Sequence, residues 1–206
     1  MIDQVVTDLD RLARPHLVME MALALAELPG PPVRRPRPDQ PLDDFLAGLG
    51  ISYRAPMDAT RTGLDESSFD LVVSAHVLEH VPSDVIPALL AECRRILRPS
   101  GIMSFEINYQ DHYSGDDDRI TAYDFLRYDD TEWSRFNPAL HHQNRLRHRE
   151  YLELFERADL DVLDVAARCS ADDVETVRRI PLADRFAAMP VEQVAIRMAT
   201  VVLTRH

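Results

Sequence analysis

Residues 68–82 of this chain, SFDLVVSAHVLEHVP, decide its fold class. Residues 69–73 form a short apolar run with two adjacent valines, which is typical of a strand buried on both faces, as in a parallel sheet. Small and polar residues follow at Ser74, Ala75 and His76. The pattern therefore predicts a buried strand that ends near residue 74 in a polar loop.

The residues after this stretch predict a helix and a second strand. Ser83 or Asp84 is placed to cap the helix, whose apolar residues recur every three or four positions, as on one face of an amphipathic helix. Residues 99–101, Pro-Ser-Gly, end it, and residues 102–107 have the pattern of another buried strand. A strand–helix–strand unit predicts a right-handed crossover and a parallel sheet, hence the α/β class.

The motif FDLVVSAHVLEHVP, followed by LRPSG before the second strand, resembles the middle of a class I S-adenosylmethionine-dependent methyltransferase of the type 11-like kind. The resemblance implies a Rossmann-like α/β fold, a doubly wound, mostly parallel sheet with an antiparallel C-terminal edge strand. It implies a single methyltransferase-like domain over residues 1–206. It also implies an enzyme that uses S-adenosyl-L-methionine as its methyl donor.

Ligands of such sheets bind beyond the carboxyl ends of the strands, where several polar residues of this chain lie. The resemblance implies that Asp8 holds the ribose and Asp58 the adenine amino group, with Asp10 as the reserve for Asp8. A helix cap for Asp8 and a turn for Asp58 are the structural alternatives. The residues expected to contact the cofactor are Asp8, Met57, Asp58, Ala59, Ser74, Ala75 and His76.

The N-terminal part departs from the family. Its first strand, ending at Asp8, matches the family's second strand, and none of the six glycines forms the Gly-rich turn after a first strand. Three explanations remain open: a truncated reading frame, a strand supplied by a partner chain or a second copy, or a degenerate relative that no longer methylates. Because an unpaired gap in a sheet must be closed, we expect the Asp8 strand to move beside the Val73 strand or a partner to fill the slot.

Composition limits the classes of partner. The net charge of -12 argues against a general nucleic-acid binder, so a small-molecule substrate is expected. Cys93 and Cys169 make neither a disulfide framework nor a zinc site. The apolar helix candidate at residues 17–28 contains Glu20 and Glu27 and is too short to span a bilayer, and no secretory signal is evident. The cytoplasm, with no membrane contact, is the expected location.

Two segments before the central motif have their own signals. Residues 30–41 are rich in Pro and Arg, which predicts an exposed loop. Residues 42–49 predict a short helix, and residues 51–55 a strand.

A substrate-side insertion is expected at about residues 109–147. Aromatic residues concentrate there, and aromatic walls suit a flat or apolar substrate and the methylsulfonium cation. We expect Tyr109, Tyr123 and Trp133 to contact the substrate. The alternative is a small packed lid without ligand contact.

Histidine and arginine residues in this insertion suggest proton transfer and anion binding. His112 and His142 are the candidate general bases, because imidazole titrates near neutral pH. Asn144 and Arg145 are candidate substrate ligands, and Arg147, like Arg145, could bind a carboxylate or phosphate on the substrate. The alternative is a hydrogen-bonded cluster that fixes the lid. No metal site is expected, because Glu79 and His80 are adjacent and adjacent helix positions do not share a face.

The remaining chain predicts a helix over 149–157, a strand over 160–165, two helical pieces within 172–189 broken at Pro181, and a final strand over 194–203. The expected function is methyl transfer to a small molecule. The alternative is a non-catalytic methyltransferase-like subunit that binds a partner chain through its open sheet. A nicotinamide dehydrogenase is disfavoured, because nothing offers a pyrophosphate-binding turn.

Overall fold

The computed structural model describes residues 41–48 and 50–206. The chain divides into two compact units, Met1–Asp58 and Ala59–His206, which are described separately. Asp8 with its strand, and all of the 30–41 loop except Pro41, lie outside the described residues. None of the described helices is long and apolar enough to cross a membrane.

The described part of the first unit contains one helix, α1, at Leu42–Gly48, which confirms the predicted helix. Leu46 is its buried residue. Residues 51–55 have no regular secondary structure, so the predicted strand is wrong. An apolar run becomes a strand only where a neighbouring strand shares its backbone hydrogen bonds, and periodicity carries no information about that neighbour.

The second unit contains a four-stranded sheet. Its strands are β1 at Phe69–Ala75, β2 at Leu97–Asn108, β3 at Leu160–Arg168 and β4 at Met198–Arg205. The helices are α2 at Ile86–Ile96, α3 at Asp130–Trp133, α4 at His148–Arg157, α5 at Ala171–Arg179, α6 at Asp184–Ala187 and α7 at Val191–Val194. Short 3-10 turns lie at Leu78–His80, His112–Gly115, Asp124–Arg127 and Ala139–His141.

The strand order is β1-β2-β4-β3, with β1 parallel to β2 and β4 antiparallel to both of its neighbours. Strands β1, β2 and β3 therefore point the same way, as the predicted mostly parallel sheet requires. The C-terminal strand is antiparallel, as predicted, but it lies between β2 and β3 and is not an edge strand. Its alternating burial, with Ala199, Val201 and Leu203 in the core, reflects this interior position. Over the described residues, the fold is an incomplete Rossmann-like α/β fold.

The β1–α2–β2 unit confirms the strand–helix–strand prediction. Its cap differs, because Val85 occupies the N-cap without a side-chain hydrogen bond and neither Ser83 nor Asp84 caps the helix. Strand β2 begins directly after α2, earlier than predicted. Gly101 permits this close packing: a Cβ there would lie 2.9 Å from the Asp70 carbonyl oxygen. A larger residue at 101 would force β1 and β2 apart.

Burial of β1 differs from the expectation. Its pattern suggested a strand buried on both faces, but Phe69, Leu71 and Val73 are exposed, Val73 by 63%. Val72 packs on the core from the opposite face. Within the described residues β1 is the first strand of the sheet, so it has a described neighbour on one side. The apolar run predicted a strand buried on both faces. In the described fold, only one face of β1 packs against the core.

Two hydrophobic cores support the second unit. The larger one joins α2 and α4 to the sheet through residues such as Leu90, Phe105 and Phe155. The smaller one lies under the predicted insertion and contains Tyr123, Phe125, Leu126, Trp133, Val177, Phe186, Val194 and Ala195. Tyr123, Phe125 and Trp133 of the insertion thus form a packed core with the C-terminal helices.

A buried carboxylate joins the segment before β1 to α2. Glu92 accepts hydrogen bonds from the backbone and hydroxyl of Thr62 and from the guanidinium of Arg95. Arg95 also donates to the Leu64 carbonyl. These hydrogen bonds, those from Arg95 first, lower the pKa of Glu92 from 4.5 to about 2.

Replacing Glu92 by glutamine is expected to lower the free energy of unfolding by about 1–2 kcal/mol at neutral pH, because charge-assisted hydrogen bonds are lost. The folded-state pKa is depressed, so this stability is fully present above pH 4.5 and is lost as the pH falls toward 2. Urea unfolding at pH 7, 4 and 2.5 would test it. A difference between wild type and variant that is constant over this range would contradict the assignment.

Candidate active site

The carboxyl ends of β1 and β2 meet at one edge of the sheet, where α/β folds bind their ligands. The two strands run parallel, with Ala75 of β1 opposite Glu106 of β2. The chain leaves β1 through His76 and the 3-10 turn Leu78–His80, and leaves β2 toward the turn His112–Gly115. Four side chains from these segments, His76, Glu79, His80 and His112, form the candidate site.

His76 marks the sharp exit from β1. Its φ of 54° lies in the left-handed region, which is uncommon for a residue with a side chain. Its backbone N–H donates to the Glu106 carbonyl, and its Nε2 lies 2.9 Å from the Glu106 carboxylate. Its Nδ1 lies 3.6 Å from Glu79 Oε1. The side chain remains 43% exposed, so a ligand can reach it.

Glu79 is a buried acid in the turn after β1. Within the part of the chain that the structure describes, neither carboxylate oxygen accepts a hydrogen bond of good geometry. Burial raises the pKa of Glu79, and this effect outweighs the opposing influence of the nearby backbone N–H groups of Glu79 and Asn108 and of the His80 and His76 imidazoles. A buried carboxylate without a strong partner is uncommon and indicates a functional group.

His80 has a defined hydrogen-bonding state. Its Nδ1 lies 2.8 Å from the His142 carbonyl oxygen, and since a carbonyl only accepts, His80 Nδ1 carries the proton. In the neutral ring Nε2 therefore has a free lone pair. The His80 ring lies edge-on to that of His112, with the ring centroids 4.8 Å apart.

His112, the first candidate base, lies in this cluster. Its backbone N–H donates to the Gln143 side chain, and Asn108 Nδ2 lies 3.4 Å from its Nε2. Burial, followed by the neighbouring His80 and His141, lowers the pKa of His112 to about 4. The ring is therefore neutral at pH 7 and offers a lone pair. With this pKa it is a hydrogen-bond acceptor and a weak base.

His142, the second candidate base, contacts the cluster through its backbone. Its carbonyl accepts from His80, and its Nδ1 lies 3.3 Å from Asn137 Nδ2. Its Nε2 is buried and has no hydrogen-bond partner among the described residues. Burial lowers the pKa of His142, so this ring is also neutral at pH 7.

Two of the predicted substrate ligands are used inside the protein. Asn144 donates to the carbonyls of Leu78 and Val81, which fixes the turn after β1 against the insertion. The Tyr109 ring is buried and its hydroxyl lies 3.1 Å from His148 Nδ1. These contacts favour the alternative role, a hydrogen-bonded cluster that fixes the lid.

The other three predicted substrate ligands are also buried. Arg145 donates to the carbonyls of Phe125 and Tyr128, and its side chain is 1% exposed. Tyr123 donates to the Ala195 carbonyl, and Trp133 donates through its indole N–H to the Gln143 carbonyl. Their burial favours the packed-lid alternative over direct substrate contact.

The predicted cofactor ligands that the structure describes lie on accessible parts of the chain. Ala75 is exposed and Ser74 half-buried at the end of β1. Met57 and Asp58 are exposed in the first unit, and Ala59 is exposed at the start of the second. Their accessibility is compatible with ligand contact.

Sequence reasoning missed the structural roles of several polar residues that organise the site. Gln143 holds the His112 backbone and also donates to the Gln110 carbonyl. Arg147 is fully buried and binds carbonyls from two other segments. The sequence around Arg147 gave no reason to expect a buried side chain, because arginine residues are mostly exposed in proteins. Glu106 alternates with core residues along β2, so its outward position could have been read from the strand pattern.

Residues 43–105 match a family model described as a methyltransferase domain. A search of the curated proteins finds no match. Among solved structures, the chain is similar to 1,6-didemethyltoxoflavin-N1-methyltransferase from Burkholderia thailandensis, with 14% identity over 79% of this chain and 55% of that one, and a TM-score of 0.46. It is also similar to geranyl diphosphate C-methyltransferase from Streptomyces coelicolor, with 13% identity over 80% and 58% of the two chains and a TM-score of 0.48.

A third similar structure is the cyclase SpnF, with 17% identity over 79% of this chain and 60% of that one, and a TM-score of 0.46. The chain spans less than two thirds of the length of each of these proteins. Since folds of this kind carry different chemistries, the assignment depends on the family match and not on these likenesses. That match includes β1, the turn after it, α2 and most of β2. Residues 43–105 therefore match the methyltransferase-domain family, in agreement with the resemblance of the central motif.

Proposed function

We propose that this chain is an S-adenosylmethionine-dependent methyltransferase that acts on a small molecule, with residues 1–206 as one domain. The observation that carries the proposal is the family match over residues 43–105, which covers β1 and its exit at His76. The accessible carboxyl edge of β1 and β2 supports it, because this is where such sheets bind ligands. The net charge of -12 favours a small molecule over a nucleic acid as the methyl acceptor.

The residues at this edge fit the cofactor in charge and accessibility. Ser74, Ala75 and His76 can line it at the end of β1. Asp58 belongs to the first unit, and the family resemblance implies that it would accept a hydrogen bond from the adenine amino group. The buried carboxyl group of Glu79 lies near a site that would receive a sulfonium cation, and a cation there would favour its ionised form. When bound, S-adenosylmethionine would supply an electrophilic methyl group.

The histidines of the site would act on the methyl acceptor. At pH 7 the rings of His112 and His142 are neutral, so each can accept a hydrogen bond from an acceptor O–H or N–H and orient its lone pair. His112, with its pKa of about 4, suits orientation better than full proton removal. The buried lid core around Trp133 would hold these histidines in place.

Titration calorimetry with S-adenosylhomocysteine tests the cofactor part of the proposal. Saturable binding is expected, and Asp58→Ala should weaken it by roughly ten- to a hundredfold, the effect of one charge-assisted hydrogen bond. Asp44→Ala, which removes another exposed acid of the same unit, is the matched control and should bind like the wild type. A folded chain that binds no S-adenosylhomocysteine would refute the enzyme proposal.

A second function, a non-catalytic subunit that binds a partner chain, is favoured by one observation. The apolar side chains of Phe69, Leu71 and Val73 on β1 are exposed, and exposed apolar patches commonly mark interaction surfaces. In this case the chain would be a stable oligomer in light scattering and would fail the calorimetric titration. A monomer that binds S-adenosylhomocysteine would exclude it.

A further inference from the structure

Glu79, His80 and His112 bring three metal-binding side chains together at the carboxyl ends of β1 and β2. One ligand atom from each lies within 4.8 Å of the other two. Glu79 and His80 come from the turn after β1, and His112 from the turn after β2. The sequence argued against a metal site because Glu79 and His80 are adjacent. In the structure, Glu79 and His80 lie in a 3-10 turn and not in an α-helix, so the helix-face argument does not apply to them. The third ligand, His112, comes from the turn after β2.

The hydrogen bonds around His80 prepare it as a metal ligand. A histidine that binds a metal through one nitrogen usually donates from the other to a carbonyl or carboxylate, which fixes the ring. His80 donates from Nδ1 to the His142 carbonyl, so Nε2 is left with a lone pair on the side of the ring away from that carbonyl. This arrangement needs no change of tautomer to bind a metal ion.

Glu79 supplies the independent observation that points to a cation. Its side chain is 3% exposed, and among the described residues neither oxygen has a hydrogen-bond partner. The nearest basic group is His76, at 3.6 Å, too far for a good hydrogen bond. A buried carboxylate is costly unless it is paired or coordinates a metal. A cation among Glu79, His80 and His112 would remove that cost.

We propose that Glu79, His80 and His112 bind one divalent transition-metal ion of the zinc type. Two imidazole nitrogens and one carboxylate oxygen are a common set for such ions, and three protein ligands leave a coordination position open for water or a ligand oxygen. Hard ions such as Mg²⁺ prefer all-oxygen sites, so they should bind poorly.

The site must tighten on binding. Ligand atoms around a tetrahedral zinc ion with bonds of about 2.1 Å lie roughly 3.4 Å apart, closer than the 4.8 Å limit observed here. Rotation of the His112 ring can supply this closure, since its contact with Asn108 is long, at 3.4 Å. With the ion bound, the His112 lone pair is occupied, and His142 is the remaining histidine candidate for proton transfer.

The metal site uses Glu79 and His112, to which the proposed methyl transfer also gives roles, but metal binding itself is tested without an activity assay. The full chain, free of added metal and of any histidine tag, is titrated with Co²⁺, followed by its visible absorption, and with Zn²⁺, followed by calorimetry. We expect one ion per chain and a rise in the melting temperature, because the ion binds only the folded state. Mg²⁺ should produce neither effect at the same concentration.

Three ligand variants and one control complete the test. His80→Ala, His112→Ala and Glu79→Gln should each weaken metal binding at least tenfold, and His206→Ala, an exposed histidine at the C-terminus, should leave it unchanged. Without metal, Glu79→Gln should melt no lower than the wild type, because it removes a buried charge without a strong partner. This variant therefore separates lost binding from lost folding.

The proposal is overturned if the folded wild type does not bind one Co²⁺ or Zn²⁺ ion per chain. It is also overturned if the three ligand variants bind the metal ion as tightly as the wild type does. Titration with S-adenosylhomocysteine is run separately. A chain that binds metal but no S-adenosylhomocysteine would support the metal site and contradict the proposed function. A chain that binds S-adenosylhomocysteine but no metal would support the proposed function and contradict the metal site.

Discussion

Replacing Arg147 by alanine is expected to lower the free energy of unfolding by about 3–5 kcal/mol, the cost of breaking a buried charged network. The Arg147 side chain is fully buried and donates to the carbonyls of Tyr109, Val194 and Ile196. Burial lowers the pKa of Arg147 to about 10, so it stays charged at pH 7. Its loss leaves these buried carbonyls without donors and opens a cavity at the end of β2.

Equilibrium unfolding in urea, followed by circular dichroism, measures this effect. Arg149→Ala is the matched control, because Arg149 is 68% exposed and forms a surface pair with Glu153. The control should change stability by less than about 0.5 kcal/mol. Arg147→Lys should recover little, because an ammonium group cannot reproduce the planar fork that reaches several carbonyls. An Arg147→Ala variant as stable as the control would show that these carbonyls find other donors.

Replacing Arg145 by methionine is expected to cost about 2–4 kcal/mol and to loosen the insertion. Its guanidinium donates to the carbonyls of Phe125 and Tyr128 and to the Asp130 carboxylate. It also lies 5.3 Å from the ring centroid of Trp133 and 5.3 Å from that of Phe186. Methionine keeps much of the volume and removes every hydrogen bond, so the change isolates the polar contribution.

Trp133 is the only tryptophan of the chain, so its fluorescence reports on this region alone. We expect a red shift in Arg145→Met, because the indole becomes more exposed to water, together with a lower unfolding midpoint. Arg119→Met is the control, since Arg119 lies in the same insertion and is 89% exposed. If Arg145→Met keeps both the wild-type spectrum and the wild-type stability, Arg145 is available for substrate binding, as the sequence suggested.

Local patterns were sufficient for most of the second unit. The apolar run before Ser74 became β1, the amphipathic pattern after it became α2, and the apolar residues before Asn108 became β2. The information that determines these elements is local. Each depends on the periodicity of its apolar residues and on Pro or Gly residues within a few positions of its ends. The predicted strand at 51–55 was wrong, because a strand forms only beside a neighbouring strand and the local pattern does not report that neighbour.

The candidate site was predicted in part. The motif located His76 and the end of β1, and the polar residues after β2 located His112. The roles of Tyr123, Trp133 and Arg145 could not be read from composition, because an aromatic cluster with an arginine suits a ligand-binding wall and a packed core equally well. Burial distinguishes the two, and burial depends on the helices around Val177 and Phe186, far along the chain.

The sequence alone determined the fold class, the methyltransferase resemblance and the strand end at which the site lies, because these depend on local pattern and on a motif that is continuous in the chain. The tertiary structure decided which side chains meet. It placed Glu79 and His80 beside His112, it buried Arg147 against backbone carbonyls of distant segments, and it enclosed Tyr123, Phe125 and Trp133 of the insertion. The reason is physical: burial and ligand geometry arise from contacts between distant segments, and no local spacing encodes them.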